Sequence, residues 1–311
     1  YDRMSRQFKH PRPFSYNRCA GGAFRMLWGY FKKMVLADNL AVFVSSIFSK
    51  PENSTGPQLL LAILIFSMQL YMDFSGCCDI AVGGARILGF DLLENFNAPF
   101  MATSFSEFWR RWHMSLTGWF RRYLYIPLGG SRKGLFRHCL NLLLVFLFSG
   151  LWHGADWGYL WWGLISGLLS VAGLLWDKTL KRPKTPQPVP LPLRILQVIR
   201  TDLLFSLVFV FFACALYGSS PAMIFTGLFK GWSGALPGLA SGFVAAGLDA
   251  ASARVALIGA AFVFVCEALG NVSQWVRKLP FWVRWPLYYL LCLSILFFGA
   301  FGQSAYIYQQ Y

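Results

Sequence analysis

Long apolar stretches separated by short polar segments run the length of the chain. A membrane-spanning helix needs about 20 mostly apolar residues. The better candidates are Leu59–Phe74, Trp157–Trp176, Leu203–Tyr217, Val255–Leu269 and Trp285–Phe301. Cys139–Trp152 is shorter but continuous, whereas Gly76–Phe90 contains Asp79, Arg86 and several glycines, which suits a buried or re-entrant segment better than a lipid-facing span. The pattern therefore predicts an all-α fold, a polytopic membrane helical bundle.

The composition supports this fold class and excludes others. Of the 311 residues, 56% are apolar and only 13% are charged, which is too little charge for an ordinary soluble or disordered chain. The formal charge of +15 lies in short basic clusters, as in loops that face anionic lipid, so nucleic acid is not expected as a partner. The seven cysteines show neither a disulfide framework nor a zinc spacing, and no metal site is predicted.

Basic residues between the apolar stretches predict the orientation. Lys and Arg number six in residues 177–202, three in 271–284 and two in 218–254. Cytoplasmic loops are enriched in these residues, so the first two of these loops are predicted to be cytoplasmic. Arg121–Arg137 is then cytoplasmic, whereas the turn His153–Asp156 and the tail Gly302–Tyr311 lie outside. The Lys- and Pro-rich stretch 177–192 is predicted to be an exposed loop.

Residues 105–120 are predicted to form one amphipathic helix at the membrane interface. Its apolar stripe consists of Phe105, Phe108, Trp109, Trp112, Leu116, Trp119 and Phe120. Arg110 and Arg111 recur eleven residues later as Arg121 and Arg122, on the other side, where they suit lipid phosphates or a phosphate-bearing donor. His113 falls on the apolar side, so it is either a hydrogen-bonded core histidine or a functional residue.

A second histidine stands at the end of an apolar stretch. Residues 149–157 read SGLWHGADW and place His153 and Asp156 beside glycines that allow close backbone approach. An ionisable group at membrane depth is a functional candidate, although a helix-end histidine bonded to a carbonyl group is the simpler interpretation. Neither histidine accompanies a serine nucleophile motif, a HExxH helix or a phosphate loop, so the sequence does not support a hydrolase, metalloprotease or nucleotidase of those kinds.

Five segments together form a specific pattern. They are Asn95–Phe100 (NFNAPF), Phe108–Gly130 (FWRRWHMSLTGWFRRYLYIPLGG), Ser149–Trp157, Tyr71–Gly76 (YMDFSG) and Phe31–Ala41 (FKKMVLADNLA). The first three closely resemble the membrane-bound O-acyltransferase family. The last two, with the PLGG end of the second, are more similar to its bacterial alginate O-acetylase branch than to its D-alanyl-transfer branch. The resemblance covers essentially the whole chain, which is expected to be a single domain, residues 1–311, from the C-terminal part of a longer protein.

The resemblance implies a multi-pass enzyme of the bacterial inner membrane. Its two motif histidines, matched here by His113 and His153, line a buried tunnel that joins a cytoplasmic donor to an extracytoplasmic acceptor, and His153 matches the residue usually assigned as catalytic. The implied reaction is O-acyl transfer to an exported polysaccharide or cell-wall polymer, with acetyl-CoA or another acyl thioester as co-substrate and no bound cofactor. Membrane lipids and an extracytoplasmic acetyltransferase are the expected partners.

The chain departs from the family pattern in places. Arg122 stands where members commonly have Asp, and Cys77–Cys78 replaces a pair that is more often aromatic plus small. The tail Tyr306–Tyr311 resembles a family ending but has Gln309 in place of an aromatic residue. By that match Tyr308 could accept the acyl group and relay it outward, although tyrosines are also common anchors at the membrane interface.

Three other functions stay open from the residues alone. D-alanyl transfer to teichoic acid would use the same kind of chemistry. A transporter or flippase could use the polar residues inside the apolar stretches, which are Asp73, Asp79, Arg86, Asp202 and Glu267. A catalytically silent scaffold is the third, and the retention of both motif histidines argues against it.

Overall fold

The computed structural model describes residues 2–9, 11–180, 189–233, 242–270 and 272–301, and within these ranges every regular element is a helix. The helices are α1 (Asp2–Phe8), α2 (Tyr16–Tyr30), α3 (Asp38–Ser49), α4 (Gly56–Ile87), α5 (Phe105–Arg111), α6 (Met114–Phe120), α7 (Gly134–His153), α8 (Trp157–Thr179), α9 (Leu191–Tyr217), α10 (Pro221–Gly227), α11 (Ala250–Ala268), α12 (Val272–Lys278) and α13 (Phe281–Phe298). Two π-helical turns, Phe31–Ala37 and Arg121–Tyr125, follow α2 and α6.

Six of the described helices, α4, α7, α8, α9, α11 and α13, are long and apolar enough to cross a membrane. They contain four of the six apolar stretches that the sequence graded as candidates and most of the other two, which run past α11 to Leu269 and past α13 to Phe301. The all-α polytopic fold class is confirmed. Helix also extends into both ends of the loop predicted over 177–192, because α8 ends at Thr179 and α9 begins at Leu191. Leu180, Val189 and Pro190, between these helices, are exposed.

The prediction of a separate segment over Gly76–Phe90 is wrong in one respect. α4 runs without interruption from Gly56 to Ile87, so this stretch is mostly the second half of one helix. Its predicted burial is borne out at Gly76, Val82 and Gly83. The polar residues that suggested a re-entrant segment are tolerated because α4 lies inside the bundle and its charged side chains have partners there.

Glycines bring α2 and α4 into close contact. A Cβ atom added at Gly29 would lie 2.6 Å from the carbonyl oxygen of Gly76, and one added at Gly83 would lie 2.6 Å from the carbonyl oxygen of Gly22. Real Cβ atoms essentially never come within 3.0 Å of another atom in this way. The two backbones can therefore pack this closely only because these positions lack side chains.

Two adjacent lysines pair with different carboxylates of α4. Lys32 Nζ lies 2.6 Å from Asp79 Oδ2, and Lys33 Nζ lies 2.6 Å from Asp73 Oδ1 and 2.7 Å from Asp38 Oδ1. Both lysines belong to the π-helical turn Phe31–Ala37, whose wider winding differs from that of an α-helix. Charges that would be costly in an apolar interior are thereby paired.

An antiparallel pair, α7 and α8, carries the second motif histidine. Added Cβ atoms at Gly150 and Gly163 would lie 2.4 Å and 2.5 Å from backbone oxygens of the facing helix. Asp156 caps the start of α8, since its Oδ1 accepts a hydrogen bond of 2.7 Å from the Gly158 amide. This tight turn fixes His153 as the last residue of α7.

Candidate active site

Residues 105–120 form two short helices, so the prediction of one continuous amphipathic helix is wrong. α5 ends at Arg111, Trp112 is extended, and His113 adopts a left-handed conformation with φ of +43° before α6 begins. The apolar stripe continues across the break because Trp112 is buried, which is why the helical spacing did not reveal it. A left-handed residue other than glycine is strained and needs support from its surroundings.

The support comes from the irregular segment before α5. The main-chain oxygen of Asn95 accepts a hydrogen bond of 2.9 Å from the Met114 amide, and the Asn97 amide donates to the oxygen of Arg111 at 3.0 Å. The side-chain Oδ1 of Asn95 accepts from the Ser115 amide at 3.1 Å. The NFNAPF motif therefore holds the break in place.

Both motif histidines line one cavity of about 390 Å³. Its walls come from α5 to α9 and are mostly aromatic and aliphatic. Since α7 and α8 are antiparallel, His138 near the start of α7 and Asp177 near the end of α8 line the end that lies away from His153. The cavity thus runs along α7 from a polar end to a histidine.

His153 sits in an aromatic environment with only 5% of its surface exposed. Its ring centroid lies 5.2 Å from that of Trp162 and 5.1 Å from that of Phe212, with the ring planes nearly perpendicular. Trp162 and Phe212 are themselves buried and line the cavity. These rings restrict the orientation of the imidazole beside the cavity.

His113 is half-buried and lies outside the six candidate spans. Its ring stands edge-on to Phe74, with 4.7 Å between centroids, and its Nδ1 lies 3.2 Å from Asn95 Oδ1. Burial lowers the pKa of His113 to about 4, so the ring is neutral at physiological pH.

The four arginines predicted to contact phosphate lie in different surroundings. Arg110 and Arg121 line the cavity, whereas Arg111 forms an ion pair of 2.6 Å with Glu107 and Arg122 is exposed on the second π-helical turn. Their predicted alignment on one helix side is wrong, because the break before α6 and the π-helical turn alter the angular spacing. Because Arg110 and Arg121 line the cavity, they remain candidates for contact with a phosphate-bearing donor.

A second cavity of about 490 Å³ lies on the other side of Asn95 and is more polar. Arg25, Lys32, Asp79 and Glu267 contribute to its lining. These charged groups have partners: Arg25 Nε donates to Asp79 Oδ1 at 2.8 Å, and the Tyr71 hydroxyl donates to Glu267 Oε1 at 2.5 Å.

The sequence model of the membrane-bound O-acyltransferase family matches residues 1–214. The chain belongs to this family. With its six apolar helices, it is a multi-pass membrane protein. The resemblance found in the sequence motifs is confirmed.

Three curated relatives illustrate the range of similarity. A probable alginate O-acetylase of Azotobacter vinelandii is 45% identical over 161 residues, which are 52% of this chain and 32% of the relative. A peptidoglycan O-acetyltransferase of Helicobacter pylori is 42% identical over 170 residues, 54% of this chain and 32% of the relative. A teichoic acid D-alanyltransferase of Bacillus subtilis is 34% identical over 132 residues, 40% of this chain and 33% of the relative. The chain therefore matches about a third of the length of each.

The structure brings the family motifs together at the first cavity. Asn95–Phe100 supports the backbone at His113, and Ser149–Trp157 contains His153. Sequence reasoning quoted the first motif but gave Asn95 no role, since its partners lie 18 to 20 residues away. Tyr308 and the rest of the tail after Phe301 lie outside the described residues. No group of three or more His, Cys, Asp or Glu side chains in the described ranges is arranged to hold a metal ion.

Proposed function

We propose that this protein transfers an acyl group, acetyl in the first instance, from a thioester donor to a hydroxyl group of an exported polysaccharide or cell-wall polymer. The observation that carries the proposal is that His113 and His153, from separate motifs, line one apolar cavity with arginines on its wall. Membership of the O-acyltransferase family and the identities to two O-acetylating relatives support the reaction class.

The shape of the cavity suits a slender donor such as acetyl-CoA. His138 and His153 lie fifteen residues apart on α7, which corresponds to about 22 Å along a helix. A thioester arm could run along these apolar walls while Arg110 and Arg121 pair with phosphate groups. The basic loops predict that this end faces the cytoplasm of a bacterial inner membrane, where acyl-CoA is made.

In this mechanism His153 acts as the general base. An imidazole nitrogen accepts the proton of the acceptor hydroxyl while the hydroxyl oxygen attacks the thioester carbonyl carbon. The carbon–sulfur bond then breaks, and the leaving thiolate takes the proton back from the imidazolium. General-base assistance of this kind contributes about 10²- to 10⁴-fold in rate, and the aromatic surroundings of His153 exclude water from the reacting group.

D-alanyl transfer is the second candidate. It is favoured by one observation, the 34% identity to a D-alanyltransferase, which covers a smaller share of this chain than the O-acetylating relatives cover. With O-acetylation as the function, we expect an extracytoplasmic acetyltransferase as partner and a relay of the acyl group through Tyr308. Labelling of Tyr308 during turnover, detected by mass spectrometry, would support the relay.

The test uses the full chain in proteoliposomes with radiolabelled acetyl-CoA and a polysaccharide acceptor. We expect acetyl transfer by the wild type and a loss of at least about 100-fold in kcat for His153→Ala. Phe148→Ala, on the same helix and 48% exposed, is the matched control and should retain activity. Equal rates in His153→Ala and the control would refute the assignment, and transfer of D-alanine alone would favour the second candidate.

A further inference from the structure

We infer that Asn95 fixes the tautomer of His113, holding the proton on Nδ1 and leaving Nε2 as the ring's acceptor nitrogen. Asn95 is thus a positioning residue for the cavity. The importance of this for catalysis rests on the proposed function, but the tautomer itself follows from the hydrogen-bond geometry around three side chains.

The orientation of the Asn95 amide is fixed by a donor that cannot be reversed. The backbone N–H of Ser115 can only donate, and it lies 3.1 Å from Asn95 Oδ1. The group facing Ser115 must therefore be the oxygen. Asn95 Nδ2 points the other way, where it donates to Cys78 Sγ at 3.4 Å.

Two polar neighbours of His113 Nδ1 are acceptors. Asn95 Oδ1 lies 3.2 Å from this nitrogen, and Ser115 Oγ lies 3.4 Å from it. The Ser115 hydroxyl has one hydrogen, and it is donated to Asn95 Oδ1 at 2.9 Å. An unprotonated Nδ1 would face two oxygen lone pairs, so Nδ1 carries the hydrogen and donates it.

Asn95 also fixes the position of the ring, because it binds three consecutive residues. Its main-chain oxygen accepts from the Met114 amide at 2.9 Å, and its Oδ1 accepts from Ser115 and from His113. His113 occupies the N-cap position of α6 but makes no side-chain capping bond there. Asn95 supplies that cap from a distant part of the chain, so the strained backbone at His113 and the orientation of its ring depend on one residue.

The tautomer determines what the ring can do in the cavity. Neutral His113 with hydrogen on Nδ1 accepts a hydrogen bond or a proton at Nε2, which suits a hydroxyl group. It cannot donate from Nε2 to the oxyanion of a tetrahedral intermediate, as the other tautomer would. His113 is thereby assigned to a hydroxyl group of the acceptor other than the one that His153 deprotonates, rather than to the thioester carbonyl.

Other titratable or charged groups share a cavity with His113 or lie beyond Asn95. Those that share its cavity are Arg110, Arg121, Tyr125, His138, His153 and Asp177. On α4, beyond Asn95, Cys78 and Asp79 line the second cavity. Phe209 and Phe212 are the residues of α9 in the cavity wall. A change of the amide to a carboxylate at position 95 would put a negative charge next to Nδ1.

The decisive measurement is the ¹⁵N NMR spectrum of the full chain with labelled histidine in lipid nanodiscs. The chain has four histidines, and His113→Gln assigns the signal of His113 by difference. At pH 7 we expect a protonated Nδ1 and an unprotonated Nε2. A proton on Nε2 in the wild type, or an unchanged spectrum in a folded Asn95→Ala variant, would overturn the inference.

A further variant, Asn95→Asp, keeps the test decisive if Asn95→Ala does not fold. Asn95→Asp retains the acceptor oxygens, so it should keep hydrogen on Nδ1 and raise the pH at which His113 becomes doubly protonated. This variant should lose acyl-transfer activity on the acid side of the pH profile. If neither the pH profile of activity nor the titration of His113 differs from that of the wild type, the inference is contradicted.

Ser115→Ala is the matched control, since it keeps the backbone donor and leaves Asn95 in place. Its tautomer should equal that of the wild type, whereas Asn95→Ala should lower kcat about 10- to 100-fold with little change in the donor KM. If the wild type shows the expected spectrum but transfers no acyl group, the proposed function fails and the tautomer assignment stands.

Discussion

Gly154 follows His153 directly, and a Cβ atom added there would lie 2.8 Å from the ring of Tyr159. The same glycine has φ of +154° and ψ of 165°, a conformation that essentially only glycine adopts. The turn after α7 can therefore place His153 against the cavity only with glycine in this position.

Gly154→Ala should displace His153. Backbone strain and the clash with Tyr159 are expected to lower stability by about 1–3 kcal/mol and to reduce acyl transfer more than donor binding. Unfolding in detergent and single-turnover kinetics measure the two effects. Gly173→Ala on α8 is the control, because its Cβ would meet only an ordinary contact of 3.6 Å to Ser106 Oγ. If the two variants have the same stability and the same acyl-transfer rate, the turn after α7 is not constrained.

Gly29→Ala should force α2 away from α4. The added methyl group would lie 2.6 Å from the carbonyl oxygen of Gly76, and overpacking of this kind costs about 1–3 kcal/mol. Gly84→Ala, whose nearest contact would be Met26 Sδ at 4.0 Å, should be close to neutral. Thermal unfolding of both variants tests this, and a fully stable Gly29→Ala would contradict the close packing.

Glu107 should make stability depend on pH. Although partial burial opposes ionisation, hydrogen bonds from Thr103 and the ion pair with Arg111 hold the pKa of Glu107 below its usual range. A group with a lowered folded pKa stabilises the protein above its unfolded pKa, about 4.3, and this contribution is lost as pH falls through the folded value.

The corresponding variant is Glu107→Gln. It should lose about 1 kcal/mol at pH 7 and show a shallower decrease of Tm on acidification than the wild type. Glu52→Gln, at an exposed position, serves as the control and should show the same decrease of Tm on acidification as the wild type. If the Tm of Glu107→Gln and that of the wild type decrease equally on acidification, Glu107 is ruled out as a source of the pH dependence.

The aromatic wall behind His153 should limit the length of the acyl chain. Phe212 is 1% exposed, lines the cavity and lies 5.1 Å from the His153 ring. Phe212→Leu should raise the ratio of butyryl to acetyl kcat/KM by about 10-fold, the effect typical of one or two methylene groups. Phe205→Leu, buried on the same helix, is the control and should keep the wild-type ratio. An unchanged ratio in Phe212→Leu would show that the wall does not select the chain.

The sequence predicted the spans well because each depends on local apolar length. It failed where distant residues decide the local structure. The continuity of α4 through Asp79 depends on Lys32, 47 residues earlier, and the break at His113 depends on Asn95, 18 residues earlier. The buried Trp112 continues the helical stripe across that break, so periodicity alone could not reveal it.

The candidate site, too, could be predicted from the sequence only in part. His113 and His153 were recognised from family motifs, and the structure brings both to one cavity. Arg111 was grouped with the phosphate-contacting arginines because spacing alone does not show its ion pair with Glu107. Hydrogen-bond direction at His113 requires coordinates, since it depends on which atom of Asn95 faces the Ser115 amide.

The paired lysines of the first π-helical turn set the register between two helical segments. Lys32 and Lys33 bind Asp79 and Asp73, which lie six residues apart on α4. Sliding α4 by one turn, about 5.4 Å, would separate both pairs at once and leave carboxylates unneutralised in an apolar interior. α4 is thus fixed in translation and rotation against the turn. Its Tyr71 and Phe74 rings therefore give Trp112 and His113, at the break between α5 and α6, a fixed surface to pack against.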